Sequence, residues 1–222
     1  MLEQLLPEVK WEKVWEATWE TIYMTSLSVV ATFFLGIILG LLLFLTAKGN
    51  IWENKFINGL VAVIVNIFRS IPFIILIILL LPFTKVLVGT ILGANAALPA
   101  LIIGAAPFYG RMVEIALREI DKGVIEAARS MGAKSGTIIW KVLLPESMPA
   151  LVSGITVTAI ALIGSTAMAG VIGAGGLGNL AFLEGFNRGN NQVTLVATVI
   201  ILIFVFIIQI IGDIITKTID KR

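Results

Sequence analysis

Residues 193–215 read VTLVATVIILIFVFIIQIIGDII, and the run carries a single charge, Asp213, near its far end. About 20 consecutive apolar residues cross the hydrocarbon of a bilayer as a helix, so this stretch is long enough to span. Four others pass the same test: 22–46, 56–83, 86–109 and 150–172. The third is the weakest of them, because Pro99 and Pro107 interrupt it and Lys85 separates it from the second. Together the five predict an all-α integral membrane protein, and their shared character predicts one domain over residues 1–222.

Composition agrees. Apolar residues make up 58% of the chain and charged residues 14%, where a soluble domain keeps about a quarter charged to wet a closed surface. Mean hydropathy is +1.02. The chain has no cysteine and no histidine, which excludes disulfides, thiolate catalysis and the usual zinc sites. It also removes the side chain most used to move protons near neutral pH. With a net charge of only +2, nothing points to nucleic acid.

Orientation follows from the lysine and arginine asymmetry. With five spans, the N-terminus, the 84–90 turn and the 173–192 loop share one side and carry Lys10, Lys13, Lys85 and Arg188. The 47–55 turn, the long polar segment 110–149 and the C-terminal tail share the other and carry eleven basic residues. The tail and the polar segment are therefore expected in the cytoplasm, with the N-terminus outside. The opening MLEQLLPEVKWEKVWEATWE has five glutamates against two lysines, so it does not read as a signal peptide. Trp11, Trp15 and Trp19 at four-residue spacing instead predict an interfacial amphipathic helix.

The polar segment contains Asp121–Pro145, DKGVIEAARSMGAKSGTIIWKVLLP, and two short helices fit it. The first covers about 124–131, and Gly132 can take the positive φ that ends a helix. Ser135 is expected to cap the second, whose Ile138, Ile139, Val142 and Leu143 form one apolar face. Pro145 is expected to stop that helix and return the chain to the membrane. Physics alone leaves open whether this hairpin fills a groove on a partner or lies on the bilayer or its own bundle.

Glu126-Ala127-Ala128, Gly132 and Leu144-Pro145 resemble the EAA motif of ABC-importer permeases. In that family the loop (here 121–145, between the third and fourth spans) is the coupling element for a separate ATPase. NIFRSIPFIIL (66–76), GAAPFYGRMVE (104–114) and GAGGLG (173–178) further resemble the methionine-import permeases within that family. The resemblance implies a non-enzymatic subunit of a bacterial plasma-membrane importer that works as a homodimer. Its partners would be two ATP-binding-cassette subunits and an extracytoplasmic substrate-binding protein. No cofactor is implied in this chain, since ATP and magnesium would sit on the ATPase. The sequence is consistent with that, because Gly132-Ala133-Lys134-Ser135 has alanine where a phosphate loop needs glycine.

Other features are more ambiguous. Residues 173–178 match G-x-G-x-x-G, but a dinucleotide site needs that turn between a strand and a helix. Gly173, Gly175, Gly176 and Gly178 read better as a tight turn at the outer mouth of the path. Gly36-xxx-Gly40 and Gly89-xxx-Gly93 have the small-xxx-small spacing of close helix pairs, though a chain with 21 glycines yields such matches easily. Arg69 lies inside an apolar span, where a charge costs at least roughly 2.5–3.5 kcal/mol and faces a cavity or bundle interior. It reads as a structural or gating residue. With Ser165 and Met168 of the fourth span it makes up the candidate substrate path. The competing reading, an ion-coupled secondary transporter, would need buried acids, and none lies inside the first four predicted spans.

Overall fold

The computed structural model describes residues 6–220, and the described residues form helices joined by short turns. Helix α1 (Trp11–Thr46) runs for 36 residues, about 54 Å. No proline interrupts it, and its first glycine is Gly36. The tryptophans therefore do not form a separate interfacial helix, as expected from their spacing, but extend the first span. Trp15 and Trp19 stay exposed, while Trp11 packs on a small core with Val14, Ala17, Leu177 and Val193.

The second span is broken. Helices α2 (Lys55–Ser70) and α3 (Phe73–Val88) meet at a bend of 110°. Pro72 has no N–H to donate and pushes the preceding residue out of the helical region, and Ile71 is extended at φ −82°, ψ 122°. The third span, α4 (Ala94–Arg118), starts and ends later than the apolar run suggests. Gly89 ends α3 in the left-handed region, and the chain resets before Ala94. Pro99 and Pro107 sit inside α4 without stopping it, because both are buried in its packing against α1, α3 and α7.

After α4 comes the short α5 (Lys122–Ser130), then α6 (Ser135–Ile138). A widened turn at Ile139–Leu143 joins α6 to α7 (Leu144–Ala169). Ser135 through Ala174 is thus one helical run of 40 residues. Pro145 does not end the hairpin as expected. It sits in the first turn of α7, and the widened turn absorbs its missing N–H, with the Leu144 N–H donating to the carbonyl of Ile139. A second widened turn at Gly170–Ala174, the helix α8 (Gly176–Leu180), a third widened turn at Ala181–Phe186 and a short turn lead to α9 (Asn191–Ile219), capped by the Asn190 side chain.

Two ends result. The N-terminal end gathers the start of α1, the glycine-rich turn, α8 and the start of α9. The opposite end gathers the last turns of α1 and α4, the α5–α6 hairpin and the start of α7, around Leu45, Tyr109, Leu117, Leu143 and Leu151. Between them Met24, Ile77, Ala100, Leu101 and Leu162 fill the middle. The Gly36 spacing does mark a close crossing: a Cβ there would meet Tyr109, and one at Gly40 would meet Val113. Gly89 and Gly93 instead border a helix break with open space where a Cβ would sit, and the Gly93 N–H donates to the Gly173 carbonyl at 2.9 Å.

Candidate coupling hairpin and transport cavity

Asp121 opens the hairpin by accepting from the Gly123 N–H at 2.7 Å. At its turn the Gly132 N–H donates to the Arg129 carbonyl at 2.8 Å and the Ala133 N–H to the Ala128 carbonyl at 3.1 Å. These two bonds close the helix only if Gly132 is left-handed, and its φ is +80°. Ser135 heads α6 but supplies no cap; Lys134 holds that position without a side-chain bond.

The apolar face expected on the second helix is present, and it packs on the protein's own bundle. Ile138, Ile139 and Leu143 are buried there and Val142 lies alongside. Of the six motif residues, Ala128 and Leu144 are buried in the same core, whereas Glu126, Ala127, Gly132 and Pro145 are exposed. Motif reading missed a further feature. Val124, Ala127 and Met131 recur at helical spacing and form an exposed stripe on α5 about a quarter turn from the buried Ile125 and Ala128, and Met131 is 82% exposed. Trp140, at 72% exposure, adds an aromatic at the same end.

Glu114 was also missed, because the apolar run stopped short of it. The longer α4 buries it to 2% exposure between Arg111 and Arg118, each 2.5 Å away. Helices longer than the apolar runs bring acids with them: Glu12, Glu16 and Glu20 on α1, Glu114 on α4 and Glu146 in the first turn of α7. Glu114 is ion-paired with two arginines of its own helix. The i, i+3 and i, i+4 spacing of Arg111, Glu114 and Arg118 was the available signal.

At the N-terminal end Gly173, Gly175 and Gly176 all take positive φ, and the segment turns between two helices. Glu20 of α1 accepts from the Gly176 N–H at 2.6 Å, and the Thr21 hydroxyl accepts from the Leu177 N–H at 2.9 Å. Gly178 abuts the Ala167 backbone so closely that a Cβ would lie under 3.0 Å from it. Glu184 lies just beyond, and the ammonium of Lys13, with help from Arg188, holds its carboxyl below the usual range. The glycines therefore serve a packed turn.

At the break between α2 and α3 a cavity of about 180 Å³ opens toward α4 and α7. Arg69 and Ser165 both line it, together with Phe68, Phe73, Phe108 and Thr158. The structure thus brings together two of the three residues named for the path. Met168 is not among the lining residues and is 50% exposed.

A bundle of membrane-length helices with a broken span over a cavity, and a helical hairpin presented at one end, defines a polytopic membrane transport component. The chain belongs to the family described as binding-protein-dependent transport system inner membrane component, which matches residues 33–222. Among its relatives is the "Methionine import system permease protein MetP" of Bacillus subtilis, 76% identical over 82% of each chain. A "Probable D-methionine transport system permease protein MetI" of Pasteurella multocida is 49% identical over 96% of this chain and 98% of that one. Among solved structures, a chain of the MetNI methionine ABC transporter in an inward-facing conformation superimposes with a TM-score of 0.93. It is 45% identical and covers 96% of this chain and 100% of its own.

Proposed function

We propose that this chain is the permease of an ATP-driven methionine importer. It acts as a homodimer with two ATPase subunits and receives substrate from an extracytoplasmic binding protein. The observation that carries this reading is the 76% identity to a methionine import permease. The hairpin supplies the means of coupling: its Glu126, Ala127, Gly132 and Pro145 surface is free in the protomer, while Ala128 and Leu144 root it in the bundle. ATP and magnesium act on the partner subunit. Nucleotide shifts the population between inward- and outward-open forms through contacts that differ at the hairpin.

Reconstituted with its ATPase and binding protein, the chain should take up labelled methionine in an ATP-dependent way, ahead of unrelated amino acids. No methionine uptake beside robust uptake of another solute would overturn the substrate and leave the importer.

The lysine and arginine asymmetry supports a cytoplasmic hairpin and an external N-terminus. A single cysteine placed by Ser135→Cys, in a chain with no native cysteine, should be shielded from impermeant thiol reagents in intact cells and react after permeabilisation. Reaction in intact cells would invert the topology.

A further inference from the structure

Arg69 is the penultimate residue of α2, beside the break at Ile71 and Pro72. It lies roughly 21 Å along the helix from Lys55. Two of its cavity neighbours fix the depth independently. Gly104 is roughly 15 Å along α4 from Ala94, and Thr158 roughly 21 Å along α7 from Leu144. Counted from those helix starts, Arg69 falls inside a hydrocarbon layer of about 30 Å. Among the described residues it makes no hydrogen bond or ion pair, whereas Arg111, Arg118 and Arg188 all do.

The described residues offer no counter-charge at that depth. The described acids at positions 8–20 and 184 belong to the N-terminal end, and those at 53, 114–146 and 213–220 lie toward the hairpin end. Glu114 is already paired, and Asp213 accepts from Gln209 at 2.8 Å. A second copy has the same sequence, so a homodimer adds no carboxylate there either. An unpaired cation inside a membrane is costly and marks a solute pathway. Its counter-charge must arrive from outside the protein.

The rest of the cavity indicates what else the visitor carries. Phe68, Phe73, Phe108 and Leu101 form apolar walls. Thr158 and Ser165 add two hydroxyls, which donate to the carbonyls of Gly154 and Ala161 on their own helix and so can accept from the visitor. We propose that this cavity is a transient station for an α-amino acid with an apolar side chain. Its carboxylate meets Arg69 and its side chain lies among the phenylalanines. This rests on the importer reading above and adds a site to it. A single cation and two hydroxyls hold the solute loosely, as passage requires.

The test uses the assembled transporter in nanodiscs and the diazirine analogue of methionine as probe. Light should attach the probe to peptides containing Phe68, Phe73 or Phe108. Methionine should compete, and methioninamide, which lacks the carboxylate, should not. Replacing chloride by gluconate should leave labelling unchanged. Arg69→Gln should cut both labelling and methionine uptake by tenfold or more, and Arg69→Lys should restore part of each. Recovery of the variant complex at wild-type yield by size exclusion shows that folding is not the cause. If methionine uptake is normal but labelling falls elsewhere, or methioninamide competes equally, the station is wrong and the importer stands. Displacement by chloride would assign Arg69 to an inorganic anion and likewise overturn it. Failure of wild-type methionine uptake is the separate outcome that removes the importer's substrate.

Discussion

Gly132→Asp should lower ATP-driven uptake, and binding-protein-stimulated ATP hydrolysis with it, by tenfold or more. The protein should still insert in the membrane. Gly132 is left-handed at φ +80° and exposed, with nothing within 4 Å of where a Cβ would sit. Aspartate tolerates that conformation better than most residues, so the backbone cost is only about 1 kcal/mol. The expected damage comes instead from a charge and four heavy atoms placed on the exposed turn that the ATPase would grip. Gly89→Asp is the matched control. Gly89 has φ +84°, is also open, and also follows a helix, but at the opposite end of the bundle. It carries the same strain and the same charge away from the hairpin. If both variants transport equally well, or equally badly, the hairpin has no special part in coupling.

Gly178→Ala should lower the apparent melting temperature of the purified protein in nanodiscs by about 10 °C. A Cβ at Gly178 would strike the carbonyl oxygen, the Cα and the carbonyl carbon of Ala167, all of them backbone atoms that cannot rotate away. Overpacking of this kind costs about 3 kcal/mol at the upper end of its usual range. For a chain of this size each kcal/mol is worth ~2–4 °C. Gly164→Ala provides the contrast, since a Cβ there meets nothing and alanine is the better helix former. It should leave the melting temperature unchanged or slightly raised. An unchanged melting temperature for Gly178→Ala would mean that the glycine-rich turn is not packed onto α7 as described.

Hydropathy located the four membrane-length helices and the bent α2–α3 pair, because lipid permits only long apolar helices and each leaves a run of about 20 residues. It could not place their ends. The first span gained the tryptophans because nothing between Trp11 and Gly36 favours a break, and a helix extends past the bilayer at no cost in hydropathy. The third was shifted because Gly89 and Gly93 act through backbone conformation, to which an apolar average is blind. That shift concealed Glu114, and with it the paired acid of the third span. Pro72 was visible next to Arg69, but a proline in a membrane helix may kink it or pass unnoticed, as Pro99 and Pro107 do. Only the packing around α2 and α3 distinguishes these outcomes. In the hairpin, Gly132 was legible because the Schellman closure has one conformational requirement. The burial of Ala128 and Leu144 was not, since a motif gives which residues occur and not which way they face.

The ties between Glu20 and Gly176, between Thr21 and Leu177, and between Lys13 and Glu184 join residues separated by 156 to 171 positions. At a synthesis rate of about 5–20 residues per second, the first helix waits roughly 10–30 s in the membrane before its partners emerge. During that interval the Glu20 carboxylate has no amide to meet, and the N-terminal end of the nascent protein stands open. Biogenesis therefore closes this end last. Truncation anywhere before residue 176 would leave spans that have inserted but never locked, a form that membrane quality-control proteases should recognise by its unlatched first helix.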